Sequence, residues 1–252
     1  MKQIDINCDM GESYGHFQIG NDQEIFPYIT SCNIACGFHG GDPLHIERTI
    51  RLALHHGTQI GAHPGYPDLA GFGRRKIDMN AEELRATIRY QVSALKGMVE
   101  SLGGRLPYVK PHGALYNIMA EEMEITEHVI SAIRDVDSDL KLMGLAGSLV
   151  QELAKDKNMP FISEAFADRR YETGGKLRSR ALEGAVLDQP QEAAEQAVSI
   201  VLKHQALSLK GLPVDIDANS ICIHGDNPQA VGILKAIDQA FAEHDIERKS
   251  FG

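Results

Sequence analysis

The sequence predicts an α/β protein, one domain over residues 1–252, whose strands close into a seven-stranded parallel β/α barrel. Seven short strand-like runs alternate with helical segments, with no linker-like or low-complexity stretch between them. Such alternation implies parallel strands joined by right-handed crossovers. The polar motifs each follow a strand rather than precede it, at Asp9, His39, His63, His112, Asp168 and His224. A closed barrel gathers all its strand C-termini at one rim, whereas an open doubly wound sheet uses only the loops at its switch point. Six polar loops therefore favour the barrel.

The elements follow in order. Gln3–Cys8 alternates as a first strand and runs into Asp9 and Glu12; Ile29–Ala35 is a second apolar run ending in CGFHGGDP. Asp42 as N-cap and Pro43 at the first helical position open a helix to about His56, which Gly57 closes. Thr58–Ala62 is the third strand, and it leads into Gly61–Arg75, GAHPGYPDLAGFGRR. Glycine and proline set an unusual backbone path there. On that path sit an imidazole, a carboxylate and two guanidinium groups, more than a surface connection requires. Asn80–Glu83 resembles a capping box and starts a long helix to about Leu102. Leu106–Pro111 is the fourth strand, about 120–134 a helix, Lys141–Leu145 the fifth strand and Ser148–Lys155 a helix. The sixth strand, Phe161–Phe166, enters Asp168-Arg169-Arg170 and then a glycine- and cation-rich excursion over Thr173–Ala185. Gln191–Gln205 is helical, Ser220–Ile223 the seventh strand, and Asn227-Pro228 caps a last helix to about His244.

Composition narrows the function classes. At 43% hydrophobic and 24% charged, the chain reads as globular, with a net charge of −10 that argues against nucleic acid or an anionic membrane as partner. No apolar run approaches the roughly 20 residues of a membrane span, and MKQIDINCDMGE reads as a strand rather than a signal peptide, so the cytoplasm is expected. Cys8, Cys32, Cys36 and Cys222 match no zinc spacing and read as small hydrophobes, with a catalytic Cys36 as the minor alternative.

Asp5, Asn7 and Asp9 are two apart and share one face of a strand, the interior face if the barrel closes. His39, His63 and His112 stand just past three strands. Neutral imidazoles with Asp9 can bind a divalent metal, or the same groups can act as acid, base and hydrogen-bonders without one. The spacing does not separate these. Lys110, if inward, counters a carboxylate or phosphate; Arg74, Arg75, Arg169 and Arg170 either clamp such a group or pair locally with Asp168 and its neighbours. Asn7 and His224 complete the candidate binding set. There is no GxxxxGK[ST], GxGxxG or GxSxG signature, so a nucleotide site would be built from several loops.

Six motifs in order, NCDMGE, ACGFHGGDP, GAHPGYPDLAGFGRR, VKPHGALYN, EAFADRRY and CIHGDNP, together resemble the LamB/YcsF family from Asp5 to Pro228. The resemblance implies an irregular TIM-like barrel of the glycoside hydrolase/deacetylase type. It implies a part in the ATP-dependent opening of 5-oxoproline (pyroglutamate) to L-glutamate, with Mg2+ as the nucleotide's counter-ion and partner subunits B and C. Asp9, His63, His112 and Lys110 become the catalytic candidates. By position, the metal of related deacetylase barrels would fall on Asp9, His63 and His112. A stand-alone metal-dependent amidohydrolase or deacetylase, acting on a small amide or sugar, is the competing class.

Overall fold

The computed structural model describes residues 1–180 and 182–251. Its strands and α-helices are β1 (Lys2–Met10), α1 (Asp22–Ile25), β2 (Ser31–Ala35), α2 (Pro43–His56), β3 (Gln59–His63), α3 (Ala81–Ser101), β4 (Tyr108–Val109), α4 (Gly113–Met119), α5 (Met123–Val136), β5 (Lys141–Leu145), α6 (Leu149–Asp156), β6 (Phe161–Phe166), α7 (Pro190–Lys203), β7 (Gln205–Leu207), β8 (Pro213–Asp215), β9 (Ser220–Ile223), α8 (Ala230–Glu243) and β10 (Ile246–Arg248). The strands β1, β2, β3, β4, β5, β6 and β9 pair in that order, all parallel, and β9 pairs with β1 to close the barrel.

The predicted helix signals hold at atomic detail. Asp42 caps α2 by accepting from the Leu44 and His45 amides, with Pro43 at the first position and Gly57 left-handed at its end. Asn80 and Glu83 form the reciprocal capping box of α3.

Four features differ from the sequence reading. β1 continues past Cys8 to Met10, so Asp9 is the last inward residue of the strand itself. β4 is only two residues, because Pro107 and Pro111 bracket it and lack amide donors; the Lys110 and His112 amides still donate to Ala62 and Pro64, each at 2.8 Å. The helix expected over about 120–134 is α5, and a further short helix, α4, not expected from the sequence, precedes it directly after His112. The antiparallel β7–β8 hairpin and β10, parallel to the first residues of β1, were not anticipated; they are strands of three residues, too short to show periodicity.

Alternation divides β1 cleanly. Ile4, Ile6, Cys8 and Met10 join the apolar layer between barrel and helices, while Asp5, Asn7 and Asp9 fill the interior and are all buried. An ordinary barrel packs its interior with branched aliphatics. Here the interior is polar and hydrogen-bonded. At its base Asp5 accepts from Thr30 and Ser31, both at 2.6 Å, and from Ser220. The Tyr108 ring crosses the interior, where a side chain at Gly61 would overlap it, and its hydroxyl donates to Cys32 O and Asn33 Oδ1 at 2.9 Å. Phe251 packs edge-on against Tyr108 from below.

Candidate active site

The C-terminal rim of the barrel opens into a cavity of about 560 Å³. Asp9, His63, Lys110 and His112 form its floor, with Tyr116, Phe166 and His224 beside them. The loops after β3 and β6 make its walls.

Specific side-chain and backbone contacts hold the loop after β3 in place. The Gln91 side chain bonds both the amide and the carbonyl of Gly65, at 3.0 and 2.8 Å. Phe72 and Gly73 both adopt left-handed backbone, at φ 55° and 63°. For phenylalanine that is an unfavourable conformation, of the kind functional loops retain. It brings the Phe72 carbonyl to 2.8 Å from His112 Nε2. A Cβ at Gly73 would lie 2.7 Å from the His112 ring and 2.8 Å from His39, so only glycine fits this close approach.

These contacts determine the proton positions on two histidines. His63 Nδ1 stands 2.7 Å from the Lys110 carbonyl and His112 Nε2 stands 2.8 Å from the Phe72 carbonyl. A carbonyl only accepts, so both nitrogens are donors. The remaining nitrogens, His63 Nε2 and His112 Nδ1, face each other at 2.9 Å. Asp9 Oδ2 lies 3.4 Å from the first and Glu12 Oε1 lies 3.6 Å from the second. His39 stacks on His112 at 3.6 Å and sets its Nε2 3.2 Å from the same Glu12 oxygen. Lone pairs so placed repel unless a positive charge lies among them, either a proton or a metal cation. Glu12, His39, His63 and His112 together present donor atoms all within 4.8 Å of one another. His63 and His112 each have one nitrogen tied to a carbonyl and the other turned inward, as metal-ligating imidazoles commonly do.

Burial and charge set the protonation of the rim. Burial, reinforced by neighbouring imidazoles, pushes His39 and His112 well below the usual histidine range, so both are neutral in the folded chain. Burial together with the nearby Asp9 and Asp226 charges pushes Glu12 well up. Burial would raise Asp9 too, but His63 and Lys110 outweigh it and hold this carboxyl well below its ordinary value.

Lys110 points inward, and its ammonium is fully engaged. Nζ donates to Asp9 Oδ1 at 2.9 Å and Glu164 Oε1 at 2.8 Å, with Asn7 Oδ1 at 3.3 Å and Cys222 Sγ at 3.2 Å. Burial works against its charge, yet Asp9, Cys222 and Glu164 together hold its pKa well above the ordinary lysine value. Asn7 donates to Glu164 and Ser220, and Asn33 donates to both Asn7 and Asp9. Asp9 is thereby oriented with one oxygen on lysine and the other toward His63.

The structure brings Asp9, Asn7, His39, His63, Lys110 and His112 into one network. Asp168 and His224 form a second pair on the cavity wall: His224 Nδ1 is 2.9 Å from Asp168 Oδ1, and its ring stacks on Phe166. Against its burial, the His224 charge and hydrogen bonds lower Asp168 to about 2. The arginines divide. Arg74 lines the cavity and pairs with Asp226 at 2.5 Å. Arg75 turns outward, two-thirds exposed, onto Asp68. Arg169 is buried and donates to the carbonyls of Arg178 and Ala185, tying the middle and the end of the excursion to the barrel; Arg170 pairs with Glu192 at 2.7 Å. Cys36 is buried and donates to Ile34 O, and burial pushes its thiol up to about 12, which removes it as a nucleophile at neutral pH. Asn33, Glu164, Tyr116 and Arg180 belong to the site without having been selected from the sequence. Asn33 and Glu164 carried one usable signal, a large polar side chain within a short, mostly apolar strand.

Comparison with known proteins agrees with this picture. The family model described as the LamB/YcsF family matches residues 4–252. The 5-oxoprolinase A subunit of Acinetobacter baylyi is 46% identical over 99% of this chain and 98% of its own. The crystal structure of a lactam utilization protein from Thermus thermophilus superposes with a TM-score of 0.93 at 40% identity, covering 100% of both chains. A family 4 carbohydrate esterase from Streptomyces lividans shares the fold alone, with a TM-score of 0.55 at 10% identity over 100% of this chain and 93% of its own.

Proposed function

We propose, for a chain that belongs to the LamB/YcsF family, the activity of its relatives: hydrolysis of a cyclic amide as the A subunit of 5-oxoprolinase, opening 5-oxo-L-proline to L-glutamate. The observation that carries the chemistry is the meeting of His63 Nε2 and His112 Nδ1 beside Asp9 at the cavity floor. A proton or a cation held between these two nitrogens, with Asp9 beside it, places acid–base chemistry where a water or an amide group is handled. Relatives of matching length, 46% identical, support the substrate class.

A five-membered lactam is a stable amide, so its carbonyl needs activation before water attacks. Mg2+·ATP would supply that by transferring its γ-phosphoryl group to the carbonyl oxygen with release of ADP. Water then adds at that carbon, the C–N bond breaks to leave the free amine and an acyl phosphate, and a second water hydrolyses the acyl phosphate to the carboxylate and phosphate. Asp9 and the neutral His112 take the proton from the attacking water, and the loop after β3 holds the His112 ring in its orientation through the Phe72 carbonyl. Lys110 balances charge beneath Asp9. The guanidinium groups on the cavity wall fit the anionic parts of substrate and nucleotide. Subunits B and C are the proposed partners, and the cytoplasm the proposed location. Among the described residues no helix is long and apolar enough to cross a membrane.

The donor set also fits a divalent metal. His63 and His112, with Glu12 and His39, would hold it; Asp9, expected as a ligand, lies outside this set and beside His63, and such an ion would polarise a carbonyl or water when bound. That observation favours one second reading, a metal-dependent amidohydrolase acting alone. Glutamate release from 5-oxoproline by this chain mixed with subunits B and C, with and without ATP, decides between them. Turnover that needs both ATP and this chain supports the oxoprolinase. ATP-independent turnover by the chain alone, lost on chelation, supports the second reading.

A further inference from the structure

Two cations expected to meet a substrate anion are already engaged. Lys110 is held between two carboxylates in the floor, and Arg75 lies outside on Asp68. Lys176 and Arg178, in the excursion, pair with Glu121 at 3.0 Å and Glu172 at 2.7 Å. A different group remains: Arg74 from the loop after β3, and Arg169 and Arg180 from the excursion and its approach, all lining the cavity. Arg169 is pushed down to about 10, by burial first and then by the repulsion of Arg180, with Arg74 adding to it. The three guanidinium groups therefore feel one another.

Among the described residues, the salt bridges of Arg74 and Arg180 run to a single carboxylate. Asp226, in the loop after β9, lies 2.5 Å from Arg74 and 3.8 Å from Arg180. Asp168, the other carboxylate nearby, is engaged with the His224 ring and backbone. Three guanidinium groups on the cavity wall face two carboxylates, Asp226 just behind the wall and Asp168 already held by His224, which leaves a local positive excess in a chain whose net charge is −10.

We propose that Arg180, with Arg74 and Arg169, forms an oxyanion subsite that binds a small carboxylate or phosphate group, with Asp226 occupying the place of that anion in the free chain. Arg180 is its adjustable member, because it is carried by the excursion and its pairing with Asp226 is long. Arg169 holds the excursion in place through the Arg178 and Ala185 carbonyls. The subsite recognises the carboxylate that distinguishes 5-oxoproline from the bare lactam ring. That carboxylate assignment rests on the function proposed above, whereas the phosphate assignment does not.

Titration calorimetry on the full chain, with 5-oxo-L-proline and inorganic phosphate in separate arms, reads the subsite directly. The wild type is expected to bind at least one of them. Arg180→Gln should weaken that binding at least tenfold. Asp226→Asn should tighten it severalfold, because it removes the internal competitor. The two effects have opposite sign, which a general loosening of the loops would not produce. 2-Pyrrolidone, the same ring without the carboxylate, serves as the control, and its affinity should respond to neither substitution. A response to phosphate alone assigns the subsite to phosphate; a response to 5-oxoproline alone assigns it to the substrate carboxylate. A wild-type chain that binds neither anion overturns the proposal, as do Arg180→Gln affinities equal to wild type or an Asp226→Asn variant that binds more weakly. If the reconstituted mixture releases no glutamate while the phosphate arm responds as stated, the function fails and the subsite stands.

Discussion

Asp5 and Asp9 lie on the same strand, point into the same barrel and are both buried, yet their carboxyl groups move in opposite directions. Asp5 is raised to about 6, because burial outweighs the hydroxyls of Ser220, Ser31 and Thr30 that donate to it. At Asp9 the same burial is outweighed by His63 and the Lys110 ammonium, which hold the carboxyl well below its ordinary value. Neutral donors satisfy a carboxylate's lone pairs without balancing its charge, whereas an ammonium does both. The base of the barrel is thus a closed polar lock, and the rim is a charged site with acceptors left over.

The comparison can be broken at the rim first. His112→Ala removes one of the two facing imidazoles, and turnover in the reconstituted system should fall by about 10²- to 10⁴-fold, the range for a lost acid–base group. Turnover within a factor of about two of wild type would remove His112 from the chemistry. Lys110→Met leaves Asp9 and Glu164 buried together without a cation. Breaking a buried ion network in this way costs about 3–5 kcal/mol, read as a lower urea midpoint. Lys110→Arg, which keeps the charge, should lose less.

At the base the test is pH. The folded chain holds the Asp5 proton more tightly than the unfolded chain does, so stability should decline as pH rises from about 4 through 6 and stay lower above that. The ceiling for a shift from 3.8 to about 6 is about 3 kcal/mol. Asp5→Asn should flatten that slope, measured as urea unfolding at pH values of about 5 and about 8. An unchanged slope would show that Asp5 is ionised without penalty. The smallest effect belongs to the loop: Gly73→Ala forces a side chain into left-handed backbone against His112, at about 1–2 kcal/mol. Turnover should drop further than that stability loss alone explains, because the His112 ring is displaced.

Much of this was legible before the fold was known. Asn80 and Glu83, or Asp42-Pro43 and Gly57, act within a few residues of themselves, so local sequence specifies their geometry. The period of two in Asp5, Asn7 and Asp9 survives because a strand has no other way to present alternate side chains. The strand C-termini likewise marked where the histidines would gather. The partners of Glu164 were not legible, since Asn7 is 157 residues away in the chain and Lys110 follows a different strand. Arg74 and Arg75 are adjacent and chemically identical. Only the path of the loop sends one to the cavity and the other to Asp68.

By itself the sequence determined the barrel class, the order of its elements and the rim on which the polar groups collect, because periodicity, caps and turns are short-range. Tertiary structure alone decided which lone pairs meet, which arginine is engaged and which carboxylate keeps its charge. Those outcomes depend on closing the sheet, which brings distant side chains within hydrogen-bond range in a medium that leaves no water to replace a missing partner.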